Sequence, residues 1–171
     1  MSLGLVNWNV EWATPRSRKS AEILRRIEMH DPEIVCLTET DISLLSGDGH
    51  AISSQGDYGY PVKEGRRKIL LWSKRPWEKV DDLGSSCMPP GRFVSGTTET
   101  SLGEVTVAGI CIPWSGSRVR WTTEKRRMWE DHREYLEGLG GVLGSISTRP
   151  LIVMGDFNQR VGQGHTVPAD S

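Results

Sequence analysis

Asp156 and Asn158 combine residue types and spacing that can do chemistry, and they end the run Leu151-Ile152-Val153-Met154-Gly155-Asp156-Phe157-Asn158. Four apolar residues read as a buried strand, and Gly155 lets the backbone pass close to whatever lies beyond it. Alternation along an extended chain sends Asp156 and Asn158 to one side, so a carboxylate and a carboxamide converge. The carboxylate can ligate a hard cation or take a proton from water, and the amide can donate to a phosphoryl oxygen without adding charge. The same tetrapeptide also reads as a strand followed by an Asp/Asn turn. Two other stretches bear on the choice. Asn7-Trp8-Asn9-Val10-Glu11 places Asn7, Asn9 and Glu11 on one side of a strand, and Ile34-Val35-Cys36-Leu37 delivers Thr38, Glu39 and Thr40 at its exit. If these strand ends lie together, Asn9, Glu39, Asp156 and Asn158 form a cluster suited to phosphoester hydrolysis. Mg²⁺ on Glu39, or Mn²⁺ in its place, would neutralise a nonbridging oxygen and the leaving alkoxide. Asp156 would orient or deprotonate water, and Asn9 and Asn158 would hold the phosphate in line. Glu39 alone also reads as a surface turn.

The elements that must position these residues follow from patterning. The first strand covers residues 3–11. Thr14-Pro15 reads as an N-cap and first-turn proline for a helix whose Ile23, Leu24 and Ile27 form the apolar stripe, closed by Asp31-Pro32. With the strand at 34–37 this makes a strand-helix-strand crossover. Residues 41–65 read as loops with one short strand around Ala51-Ile52. Residues 68–73 form a firmer strand, and 92–98 and 105–112 form a hairpin through Ser101-Leu102-Gly103. A loop with Trp114, Arg118 and Arg120 leads into a helix capped by Thr122 or Thr123, on which Met128, Trp129, His132, Tyr135, Leu136 and Leu139 repeat at helical spacing. His132 lies on that apolar stripe and reads as a core or boundary histidine.

The totals bound the answer. A chain of 171 residues predicts a single domain, 1–171, that buries roughly 70% of its unfolded surface. The 21 basic and 22 acidic residues give a formal net charge of −1, so any contact with a polyanion must be local. Cys36, Cys87 and Cys111 are odd in number and widely spaced, which argues for a reducing compartment and against a zinc site. No apolar run approaches about 18 residues, so no membrane insertion is expected, and a soluble cytoplasmic protein is.

The three polar strand ends, in this order, resemble the endonuclease/exonuclease/phosphatase superfamily, the metal-dependent fold shared by abasic-site endonucleases, pancreatic-type DNases, inositol polyphosphate phosphatases and neutral sphingomyelinases. The resemblance rests on Asn7-Trp8-Asn9-Val10-Glu11, Leu37-Thr38-Glu39-Thr40 and Gly155-Asp156-Phe157-Asn158. Leu70-Leu71-Trp72-Ser73-Lys74 and Ile112-Pro113 support it, and it covers nearly the whole chain. It implies an α/β fold, a four-layer α/β sandwich of two packed mixed β-sheets flanked by helices. By position, it implies Glu39 as principal metal ligand, Asn9 as a phosphate- and metal-shell residue, Glu11 as an outer metal-site carboxylate, and Asp156 with Asn158 as the residues that position water. Trp114 and Arg118 or Arg120 fall where family members contact substrate, although a loop tryptophan followed by arginines also reads as packing plus solubility.

Two departures qualify the resemblance. Cys111-Ile112-Pro113-Trp114 stands where abasic-site enzymes carry a tyrosine before Pro-Asn, which weakens that particular reading. The family's later strands and Ser-Asp-His signature have no counterpart after Asn158. His165 stands too close to Asn158 to replace that histidine, so the domain is expected to be C-terminally incomplete, with its C-terminal strands missing and its rate reduced on the order of 10²–10⁴-fold. The expected function is a Mg²⁺-dependent phosphoester hydrolase, foremost a phosphodiesterase acting on nucleic acid. The alternatives are a phosphatase or phosphodiesterase of a small-molecule or lipid-headgroup phosphoester, and a noncatalytic family member acting as a binding module.

Overall fold

A computed structural model describes residues 2–45, 47–119, 126–146 and 150–159. Two mixed four-stranded sheets pack face to face. Strands β1 (Leu5–Ala13), β2 (Ile34–Asp41), β3 (His50–Ser53) and β4 (Arg66–Ser73) form the first, in the order β1-β2-β4-β3. Strands β5 (Glu78–Asp81), β6 (Phe93–Thr100), β7 (Gly103–Cys111) and β8 (Leu151–Asp156) form the second, in sequence order. Helix α1 (Ser20–Met29) follows β1 and helix α2 (Glu130–Ser145) precedes β8. Each helix lies within a crossover that makes a parallel pair, β1 with β2 and β7 with β8, while the other neighbours are antiparallel.

Period-two alternation sorts the strand residues into layers. Ile34 and Cys36 of β2, Ile69 and Leu71 of β4, and Val94, Val105, Val107 and Cys111 of the second sheet interdigitate between the sheets. Burying each large member contributes about 1.5–3 kcal/mol. The intervening Val35, Leu37 and Leu70 pack under Ile23 and Ile27 of α1. On the far face Ala108 and Ile110 pack under Tyr135 and Leu139 of α2. The four layers expected from the sequence are therefore present. At the sheet interface Gly109 allows close approach, since a Cβ there would stand 2.7 Å from Ile69 Cγ2.

Several boundaries differ from the sequence reading. β1 begins at Leu5 and continues to Ala13, and β2 extends to Asp41 because Thr38, Thr40 and Asp41 pair with β4. Helix α1 starts at Ser20, not after Thr14-Pro15. Ser17 N–H donates to Thr14 O at 2.9 Å, and the Ser20 hydroxyl donates to Pro15 O at 3.0 Å, which consumes those residues in turns. Helix α2 starts at Glu130, because Trp129 adopts a left-handed conformation (φ 69°), leaving Met128 before the helix. Thr122 and Thr123 lie outside the described residues. Strand β5 was not expected from its residues: it is mostly exposed and gains its structure from pairing with β6.

Gly155 has φ 134°, and a Cβ built on it would stand 1.8 Å from Ile110 O on β7. Gly155→Ala is expected to lower unfolding free energy by about 3 kcal/mol or more, through backbone strain and displacement of the β7–β8 ladder. Urea denaturation of the variant beside the parent chain measures it.

Candidate active site

Asn7 and Asn9, on the same side of β1, both reach across to the end of β8. Asn7 Nδ2 donates to Gly155 O at 2.9 Å, and Asn9 Nδ2 donates to Asp156 Oδ2 at 3.0 Å. The other carboxylate oxygen, Asp156 Oδ1, accepts from the Asn158 backbone N–H at 3.0 Å. Asn158 Nδ2 donates to Ile112 O at 2.7 Å, just past the end of β7. Each carboxamide thus has one N–H pinned by the protein and a second N–H to offer. The Asp/Asn turn and the functional cluster are one feature, since the turn is what orients the two side chains.

Asn7, Asn9, Thr38, Asp156 and Asn158 line an open cleft of about 590 Å³. A second cleft, of about 470 Å³, shares Asn158 with it and is lined by Glu39, Lys68, Trp12, Tyr58, Arg66 and Trp114 among others. A larger cleft, about 990 Å³, lies at the opposite strand ends around Gly4, Glu33, Lys74 and Thr98 and contains none of the candidate residues.

Glu39 does not stand alone. Its Oε1 accepts from Lys68 Nζ at 2.9 Å, and Lys68 is nearly buried. The Lys68 ammonium also lies 4.8 Å from the Trp12 ring centroid and 5.6 Å from that of Tyr58. Trp12 reaches this position through a bulge: Asn9 pairs with Thr38 and Ala13 with Thr40, so β1 spends four residues where β2 spends two. Glu11 and Trp12 absorb the bulge with φ 49° and 60°. Glu39 (φ 50°) and Asn158 (φ 49°) are left-handed as well, which concentrates strained backbone at this end of the sandwich.

The bulge also disposes of Glu11. Its side chain is 82% exposed and pairs with Lys19 at 3.1 Å, and it lines neither cleft, so the structure does not bring it to the cluster as an outer carboxylate. Arg118 is likewise committed elsewhere: its Nε and Nη2 fork onto Asp131 of α2, each at 2.8 Å. Arg120 lies outside the described residues, as does His165. Trp114 is half exposed on the wall of the Glu39 cleft, where the sequence reading puts a substrate contact. His132 is buried. Its Nδ1 donates to Pro113 O at 2.7 Å and its Nε2 accepts from Gln159 at 3.0 Å, so it ties the loop after β7 to the loop after β8.

Sequence reasoning missed Lys68, Trp12, Tyr58 and Arg66, and it placed Asn7 on the polar side of the first strand without giving it a role. Arg66 and Lys68, two apart at the start of β4 and so on one face, were a signal that could have been used. Trp12 carried none, because its position depends on the bulge.

Residues 6–166 match the model of the Endonuclease/Exonuclease/phosphatase family. The chain belongs to this family. No curated protein sequence matches it. Solved structures show the same fold at low identity. An AP endonuclease from Archaeoglobus fulgidus superposes with TM-score 0.64 at 18% identity, covering 92% of this chain and 58% of its own. A 3′ phosphatase from Neisseria, solved bound to a product DNA hairpin, gives 0.64 at 15%, again covering 92% and 58%. Sphingomyelinase C from Streptomyces griseocarneus gives 0.63 at 12%, covering 93% and 65%. This member of the Endonuclease/Exonuclease/phosphatase family therefore spans less than two thirds of the length of these relatives.

Burial pushes the Asp131 carboxyl up, but the Arg118 fork outweighs it and holds the group below its ordinary value of 3.8. A depressed carboxyl contributes stability that is present above the unfolded value and lost as pH falls through the folded one. Asp131→Ala is expected to cost about 3 kcal/mol at pH 7 by removing the buried carboxylate onto which Arg118 forks. In Asp131→Asn the stability lost between neutral pH and pH below 3.8 is expected to shrink. Urea melts at the two pH values read both.

Proposed function

We propose that this family member is a metal-dependent phosphoester hydrolase, foremost a phosphodiesterase acting on nucleic acid. The observation that carries the reading is the junction of β1 and β8, where Asn9, Asp156 and Asn158 converge on one cleft and Asn158 joins it to the Glu39 cleft. The relatives of the same fold, named for AP endonuclease, 3′ phosphatase and sphingomyelinase activities, support phosphoester chemistry.

The donors suit a hard divalent ion. Glu39, Asn9 and Asp156 offer oxygen, and among the described residues no group of three or more His, Cys, Asp and Glu gathers as a softer or all-carboxylate cage would require. Mg²⁺ keeps several waters and is commonly held through one or two carboxylates. Glu39, with one oxygen on Lys68 and the other to give, would be its principal ligand, and Asn9 would stand in its shell. Once bound, Mg²⁺ or Mn²⁺ supplies positive charge for a nonbridging phosphoryl oxygen and the leaving alkoxide. The protein's own groups do the rest. The second N–H of Asn9 and of Asn158 donates to phosphoryl oxygens and holds the phosphorus in line, at a reduced side-chain entropic cost because each amide is already pinned. Each Asp156 oxygen accepts one protein N–H and keeps a lone pair with which to orient water and take its proton.

Nucleic acid is favoured among substrates by Trp114, whose exposed indole can stack on a base beside the Glu39 cleft. Hydrolysis of supercoiled plasmid and of a chromogenic phosphodiester, with Mg²⁺ and with EDTA, tests the proposal. Activity is expected to require the metal and to fall on the order of 10²–10⁴-fold in Glu39→Ala and in Asp156→Asn. A folded, Mg²⁺-binding chain with no turnover on either substrate would overturn it in favour of a noncatalytic binding module.

A further inference from the structure

The two clefts that meet at Asn158 differ in charge. The Asn9–Asp156 cleft contains one carboxylate and no cationic side chain. The neighbouring cleft contains Lys63, Arg66, Lys68 and Arg92 against the single carboxylate of Glu39, an excess of three positive charges in a chain whose formal net charge is −1. Among the described residues neither Lys63 nor Arg66 forms a salt bridge, although Arg66 stands opposite Asp41 in the β2–β4 ladder. Lys68 is partly neutralised by Glu39, and a divalent ion on Glu39 would enlarge the excess. Such a concentration of like charge is destabilising unless an anion joins it.

Arg66 is prepared for that anion. Its guanidinium carbon lies 4.8 Å from the Trp12 ring centroid, over the indole. A guanidinium held on an aromatic face keeps its N–H edge for a planar fork on phosphate, and it is weakly hydrated, so it gives up little water on binding. Trp12 is itself braced by Tyr58, stacked at 5.6 Å between ring centroids. The β1 bulge, with two left-handed residues, brings Trp12 there.

We infer that the Trp12–Arg66–Lys68 cleft is a subsite for a second phosphate on the substrate, next to the reacting phosphate at Asn9, Asp156 and Asn158. The inference rests on the proposed phosphoester site and narrows its substrate class to compounds with two neighbouring phosphates, of which a nucleotide fragment bearing a terminal phosphate fits Trp114 best. It assigns Arg66 as a specificity-determining residue.

Binding in EDTA, without metal or turnover, tests this separately from catalysis. Adenosine 3′,5′-bisphosphate and adenosine 5′-monophosphate are titrated against the full chain, followed by tryptophan fluorescence and calorimetry. The bisphosphate is expected to bind at least tenfold more tightly, and Arg66→Ala, with Lys63→Ala as a milder second variant, is expected to narrow that ratio toward one. Asn9→Ala, at a residue that lines the reacting cleft and not the subsite, is expected to weaken both ligands together, which distinguishes loss of the reacting site from loss of the subsite. Equal affinities in the parent chain, no binding of either ligand, or a ratio that a folded Arg66→Ala leaves intact would each overturn the inference. Fructose 1,6-bisphosphate binding as tightly as the nucleoside bisphosphate, with the same dependence on Arg66, would uphold the subsite and assign it to sugar phosphates.

Discussion

Two hydrogen bonds two residues apart on β1, from Asn7 to the Gly155 carbonyl and from Asn9 to the Asp156 carboxylate, join the edges of the two sheets. β1 belongs to one sheet and β8 to the other, and no backbone ladder connects them. The amides therefore do what strand pairing does elsewhere in the fold. Their geometry is fixed by the pleat, because residues two apart point the same way and advance by one strand repeat. The catalytic candidates inherit that register. Asp156 cannot move without breaking a bond to Asn9, and Asn158 cannot move without releasing the Asp156 oxygen or the Ile112 carbonyl.

Glycine makes this approach possible in two places. Gly109 lets the sheets close over Ile69 and Leu71, and Gly155 lets β8 run against the Ile110 carbonyl before the chain turns. The apolar layers supply the bulk of the stabilisation, but they fix the sheets only to the tolerance of side-chain packing. Directional polar bonds at the strand ends then set the site to the tolerance of a hydrogen bond. His132 extends the same logic to the loops, since its two ring nitrogens tether Pro113 and Gln159.

The layout separates two kinds of electrostatics. Around Asp156 the polar groups are neutral amides and one carboxylate, which suits holding a phosphate without trapping it. Around Glu39 they are cations arranged on aromatic faces. Arg118, by contrast, spends its charge on Asp131 and serves to anchor the start of α2. Basic residues of similar appearance in the sequence thus take opposite roles according to whether a buried carboxylate lies within reach.

The four-layer fold was legible through the family resemblance carried by the motifs at 7–11, 37–40 and 155–158, and the shared side of Asp156 and Asn158 through alternation along one extended stretch. Apolar spacing marked α1 and α2, and Gly155 announced a close approach that side chains forbid, whereas the sorting of Val35 from Cys36 and of Leu70 from Leu71 into different layers came with the packed sheets. Helix starts were less legible, since turns at Thr14–Ser17 and the left-handed Trp129 compete with capping for the same residues. What only the tertiary structure decided were the long-range choices: the bulge that exposes Glu11 and swings Trp12 onto Arg66 and Lys68, the pairing of Lys68 with Glu39, and the capture of Arg118 by Asp131. These depend on which groups meet across gaps of tens of residues, and a charge or an aromatic ring carries no mark in the sequence of the partner that the fold will bring to it.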